Sequence, residues 1–201
     1  TAGVLRDAGM AGVALAALVF VAGAKLLTRP TLPALVPRGN PLFAIRAAFV
    51  CLALWAVLEL GAIVVARTTV FPAQNLWWAD AARHLFTIGF LTMIIVGMSF
   101  RILPVFSGKS LWSEKLAYAT YALILAGVAM RLLQYPAAFH AKLYQAGSWM
   151  GVLVVLALVL FTVNLYKTMR AKAAPPALAR PEPERDVRPS RRTFASTLPV
   201  R

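Results

Sequence analysis

Residues 43–66 read FAIRAAFVCLALWAVLELGAIVVA, a run in which Arg46 and Glu59 are the charged residues. A helix of this length extends about 36 Å at 1.5 Å per residue. The hydrocarbon core of a bilayer is about 30 Å thick and is spanned by about 20 predominantly apolar residues. The run does not alternate in polarity, as a strand of a membrane barrel would. A continuous apolar helix satisfies its own backbone in lipid. The stretch therefore predicts a membrane-spanning α-helix.

Four further runs predict the same. The first covers residues 8–27 and is followed by a loop punctuated by Lys25, Arg29, Pro30, Pro33, Pro37 and Arg38. The third covers 81–103, where Pro104 is expected to stop it. The fourth covers 114–133, with Ser113 as a candidate N-cap and Pro136 beyond its end. The fifth covers 143–166. The fold class expected is an all-α integral membrane bundle of five transmembrane helices within residues 1–170. Residues 171–201 are rich in Pro and Arg and read as a disordered, cytoplasmic basic tail. No internal repeat of the transporter kind is visible. The chain opens on Thr1, so its start has been processed or residues lie upstream. The first run lacks a small-residue cleavage motif and is long enough to span, so it reads as a span rather than a signal peptide.

Composition agrees. Of 201 residues 60% are hydrophobic and 14% charged, with a net charge of +14 and a mean hydropathy of +0.72. A soluble domain would be about 45–50% apolar and about 25% charged. This excludes a soluble enzyme. It also excludes a nucleic-acid module, because the basic residues bracket apolar runs instead of clustering on one domain. Cys51, the one cysteine, sits inside a run and reads as a small buried hydrophobe. With the N-terminus outside, sixteen Lys and Arg fall on the inner side and five on the outer, which predicts an N-out, C-in orientation. Trp77 and Trp78 then suit an outer aromatic belt and Trp112 an inner one. A bacterial cytoplasmic (inner) membrane is the expected location.

Ionisable residues inside spans cost at least about 2.5–3.5 kcal/mol near the bilayer centre and so mark candidate sites. Here they gather at one depth on the outer side: Glu59 in the second run, Arg83 and His84 at the start of the third, Arg131 near the end of the fourth, and His140 and Lys142 before the fifth. His84 and His140 are the two histidines of the chain. A b-type haem needs one or two imidazoles from packed helices and cations for its propionates. His84 and His140 are thus the candidate axial, iron-binding pair, with Arg83 or Arg131 for propionates. Each histidine also has a plainer reading, His84 as an interfacial imidazole bonded to a carbonyl and His140 as a loop residue. Glu59 is either a propionate-side or proton-relay acid or, the favoured reading, a structural partner of Arg131. On a regular helix His84, Thr87, Thr92, Met98 and Ser99 fall on one face, each within roughly 80° of a common centre line. Gly89, Met93 and Gly97 lie opposite, where small residues suit close packing.

Residues 80–109, DAARHLFTIGFLTMIIVGMSFRILPVFSGK, resemble the C-terminal half of NnrS-type proteins, haem- and copper-containing membrane proteins linked to nitric oxide metabolism. His84, Thr87, Gly89, Thr92, Met93, Arg101 and Gly108 fall at the family's spacing. The stretch LAGVAMR ending at Arg131 is similar to its following helix. A more distant likeness is to subunit I of haem–copper oxidases. The resemblance implies haem b on His84 and a role in electron transport or in nitric oxide or oxygen chemistry. Phe106 stands where the family turn has its second histidine, so a copper site is not expected, and five helices are fewer than the family's number.

The leading expectation is a haem-binding integral membrane subunit. The alternative is a cofactor-free, or chlorophyll-contacting, anchoring subunit of a larger respiratory or photosynthetic complex. Its basic tail would lie on anionic lipid or wrap a partner. Either reading expects membrane lipids and other subunits as partners. A transporter would need oligomerisation to enclose a path. No carboxylate pair, nucleophile–base pair or phosphate loop points to hydrolysis or group transfer.

Overall fold

The computed structural model describes residues 2–25, 27, 41–68, 79–134, 145 and 148–171. Five helices are long and apolar enough to cross a membrane. They are α1 (Ala2–Ala24), α2 (Pro41–Thr68), α3 (Ala79–Phe106), α4 (Glu114–Leu133) and α5 (Met150–Arg170). Among the described residues there is no strand. His140, Lys142, Trp77, Trp78 and the 172–201 part of the basic tail lie outside the described residues.

Several helix ends differ from the expectation. α1 starts six residues before Ala8 and ends at Ala24. α5 starts at Met150 and runs past Tyr166 to Arg170, with Lys167 and Arg170 in its last turn, where cations complement the helix dipole. Residues 143 and 144, the expected start of that span, lie outside the described residues. Pro104 does not stop α3, which continues to Phe106. Pro104 lies in the final turn, where it removes a single N–H from the ladder. The terminator is Gly108, at φ +62°. There Gly108 N–H donates to the Val105 carbonyl (3.1 Å) and Lys109 N–H to the Pro104 carbonyl (2.9 Å). This paired 5→2 and 6→1 pattern is a Schellman ending, which favours glycine at its left-handed position. Ser113 is an N-cap as expected, its hydroxyl accepting from Leu116 N–H at 3.3 Å.

The chain forms a serial antiparallel bundle in which each helix packs on the next. Phe20 of α1 meets Phe49 of α2, ring centroids 5.7 Å apart, while Arg6 and Met10 share a cavity with Glu59 and Ile63. Along α2 and α3, Cys51 faces Gly89 and Ala44 faces Gly97. Phe100 of α3 meets Tyr121 of α4 at 5.9 Å, and Asp80 meets Arg131. Gly127 of α4 faces Met150 and Val154 of α5, and Ser113 faces Asn164. The outer helices α1 and α5 are the most exposed. In their most apolar windows 11% and 17% of residues are buried, against 33% in α2, α3 and α4.

Lipid removes the hydrophobic drive between helices, so close backbone approach and interhelical hydrogen bonds must hold the spans together. Both are present. A Cβ at Gly97 would lie 2.6 Å from the Ala44 Cβ, and one at Gly89 would lie 2.8 Å from the Cys51 Cβ and Sγ. The expected packing role of Gly89, Met93 and Gly97 is thus what the bundle uses: all three are buried. At the far rim Asn164 of α5 clamps the α4 N-terminus. Its Oδ1 accepts from Ser113 N–H (3.1 Å) and its Nδ2 donates to the Ser113 carbonyl (2.8 Å).

α3 is not a regular helix. Leu85–Thr92 forms a π-helical stretch beginning directly after His84. The single-face reading at 100° per residue therefore does not hold through it, since π turns close on residue i−5. Thr92 Oγ1 follows the wider turn and donates to the Thr87 carbonyl at 2.9 Å, and Thr87 Oγ1 donates to the Arg83 carbonyl at 2.8 Å. Both hydroxyls are satisfied by their own helix.

Candidate functional site

Of the polar groups expected at one depth, Glu59, Arg83, His84 and Arg131 share one rim, made by the start of α1, the end of α2, the start of α3 and the end of α4; His140 and Lys142 lie outside the described residues. They form two separate constellations on α3. Positions 80 and 84 are four apart, as are 79 and 83, so each pair marks one stripe of the helix. One stripe turns to α4 and the other to α1 and α2.

On the α4 side, His84 is held from below. Its Nδ1 lies 2.7 Å from the Asp80 carbonyl oxygen. A carbonyl only accepts, so Nδ1 carries a proton and donates, and in the neutral ring Nε2 is then the nitrogen with the lone pair. The Asp80 carboxylate is 3.5 Å from the same nitrogen. That carboxylate is bound in turn by Arg131 of α4, whose other donor goes to Gln134 Oε1. The side chains of His84, Asp80 and Arg131 are 24%, 30% and 25% exposed, and Gln134 is buried. The geometry suits a ligating imidazole. Metal-bound histidines characteristically donate the second ring N–H to a carbonyl or carboxylate, which fixes the tautomer and orients the free nitrogen.

On the other side, Glu59 and Arg83 line a cavity of 530 Å³ between α1, α2 and α3, together with Arg6, Asp7, Trp55 and Phe86. Glu59 is half-buried and Arg83 exposed. Among the described residues no salt bridge joins Glu59 to Arg131. The favoured pairing is corrected to Arg131–Asp80, because α3 stands between α2 and α4 at this level.

The structure thus brings His84 together with Arg131 through Asp80, and Glu59 together with Arg83. It does not bring these two pairs into one cavity. The imidazole fits an axial ligand. Arg131 is already committed to Asp80 and Gln134, and Arg83 and Glu59 face a different space, so the expected propionate cradle is not assembled around His84. His140 lies outside the described residues. Among the described residues no group of three or more His, Cys, Asp or Glu side chains could hold a metal ion, so a group at His84 would depend on the imidazole.

Asp80 and Arg6 are expected on the outer side without a role in the site, and Gln134 and Asp7 are not singled out at all. Asp80 reads as a loop residue after Trp77 and Trp78, but its i, i+4 spacing to His84 and the i, i+3 spacing of Arg131 to Gln134 are the signals that place them. No protein-family model, curated protein or solved structure matches this chain.

Proposed function

We propose that this chain is a haem-binding integral membrane subunit acting in electron transfer or in nitric oxide or oxygen chemistry. His84 is its axial ligand through Nε2. One observation carries the reading: the 2.7 Å bond from Nδ1 to the Asp80 carbonyl occupies that nitrogen and leaves Nε2 as the one available for ligation. The resemblance of residues 80–109 to NnrS-type proteins supports it independently. Haem b supplies a one-electron couple there and, where one axial position stays open, a seat for a diatomic gas. The chain's own contribution is orientation. Asp80 keeps the imidazole upright, and Arg131 and Gln134 fix Asp80 against α4. Charge counts support an N-out, C-in orientation in a bacterial cytoplasmic membrane, with the basic tail inside and other subunits alongside.

A second reading has its own observation. The Asp80–Arg131–Gln134 contacts are complete without a cofactor, and α1 and α5 present broad apolar faces. These features also suit an anchoring subunit of a larger complex, in which His84 completes an interhelical clamp.

An absorption spectrum and a pyridine haemochrome assay on the chain purified from haem-supplemented cells test the two readings. The expected result is a Soret band in wild type that His84→Ala loses while keeping wild-type helicity. The absence of a band in wild type overturns the haem reading and leaves the anchor.

A further inference from the structure

The cavity between α1, α2 and α3 is not used by the His84 site. Its chemistry is unusual for a membrane bundle: two guanidiniums and two carboxylates, Arg6, Arg83, Asp7 and Glu59, line it beside the rings of Trp55 and Phe86. The geometry points to a binding site for a phosphoethanolamine group, supplied as the headgroup of a membrane phospholipid.

Three observations support this. The lining carries equal numbers of opposite charges, so it complements a zwitterion rather than an anion or a cation. Arg6 and Asp7 lie 3.6 Å apart, yet no salt bridge joins Glu59 to Arg83 among the described residues although both face the same space. A phosphate diester placed at Arg83 and an ammonium at Glu59 bridge that gap, each through charge-assisted hydrogen bonds. The Trp55 and Phe86 rings, packed on one another at 5.0 Å and tilted by 49°, line the same space and keep the charged groups beside an apolar wall.

Depth agrees with a lipid source. Glu59 lies six residues before Val65, Arg83 four after Ala79 and Arg6 three after Gly3, the ends of the apolar spans. At 1.5 Å per residue these are about 9, 6 and 4.5 Å in from the span ends, near the boundary between headgroups and a hydrocarbon core about 30 Å thick. The volume lies within the roughly 300–1,000 Å³ of small-molecule sites. Below it Val13 of α1, seven residues on from Arg6 and on the same helix face, is more than half exposed and gives an acyl chain an apolar surface. A primary ammonium donates to a carboxylate where a trimethylated one cannot, so the ethanolamine headgroup is selected over choline.

Native mass spectrometry of the delipidated, detergent-purified chain tests this with dioleoyl phosphatidylethanolamine, phosphatidylcholine and phosphatidylglycerol in equal amounts. The expected result is one ethanolamine lipid retained with at least a fivefold preference over each of the others. Glu59→Gln and Arg83→Gln each should reduce that preference at least threefold at unchanged helicity. Equal retention of the three lipids by wild type overturns the proposal, as does a preference that survives in both variants. Glycerophosphoethanolamine competing as strongly as the lipid overturns the lipid source. The haem spectrum of these variants is expected to match wild type, so failure here is distinct from failure of the His84 reading.

Discussion

Asn164→Leu isolates what holds α4 to α5. Asn164 is fully buried and makes two bonds to one residue, accepting from Ser113 N–H and donating to the Ser113 carbonyl. Leucine keeps the same branched skeleton and is larger, so no cavity term enters, and any overpacking adds to the loss. The carbonyl keeps a weak second partner in Ala117 N–H at 3.4 Å, whereas the Ser113 N–H loses the Asn164 acceptor. Interhelical hydrogen bonds in bilayers average about 0.6 kcal/mol and reach about 1.7, and an orphaned buried donor costs about 1–3. Together these give a loss of about 1–3 kcal/mol, a factor of about 5 to 140 in the folding equilibrium at about 1.4 kcal/mol per decade. The assay is a sodium dodecyl sulfate titration in mixed micelles, followed by circular dichroism. The midpoint of Asn164→Leu is expected below wild type, and Thr168→Val, which removes the acceptor for Trp112 N–H at 3.0 Å, should fall between the two. A leucine variant that unfolds at or above the wild-type midpoint would refute the clamp and leave apolar packing as the main tie between these helices.

Tyr121→Phe should raise the same midpoint by about 0.5–2 kcal/mol, because the Tyr121 hydroxyl is buried with no hydrogen-bond partner among the described residues and its removal relieves that burden. Gly97→Leu should cost about 1–3 kcal/mol or more by overpacking, since even a Cβ there meets Ala44 at 2.6 Å; cross-linking between cysteines introduced on α2 and α3 measures the separation. Asp80→Ala should cost about 1.5–3 kcal/mol by stripping Arg131 of its carboxylate, with a double cycle against Arg131→Met showing positive coupling. Gly108→Val should destabilise by about 1 kcal/mol, because Gly108 holds the left-handed position that ends α3; a thermal melt detects it.

The spans were legible because lipid demands long uninterrupted apolar runs, and 43–66 and 114–133 carry that demand in composition alone. Depth was legible too: Glu59, Arg83, His84 and Arg131 do lie at one rim. Azimuth was not. Counting along a span gives height but not which neighbour a side chain meets, so Glu59 was paired with Arg131 across a helix that intervenes. The π-helical stretch defeated the face reading for the same reason, since LFTIGFLT is simply apolar and only the five-residue step from Thr87 to Thr92 hints at a wider turn. Gly89 and Gly97 announced a close contact by their size, while their partners, Cys51 and Ala44, emerge only when two helices are set side by side. Pro104 carries less weight than its residue type suggests, because proline removes one bond and crowds the carbonyl four residues before it, while later N–H groups still bond back, as Ser107 does to Leu103.

The wider coil between Leu85 and Thr92 gives α3 two angular settings within one span. Downstream, the setting is locked by the glycine contact with Ala44; upstream, by the grip of Arg131 on Asp80. Removing one residue inside the coil would turn the upstream end by about 100°, swinging the imidazole and its carboxylate off α4 while leaving the glycine seam untouched. The coil works as a washer that lets two incompatible screw threads share one bolt, and it fixes the angle between the polar end of the helix and its membrane seat.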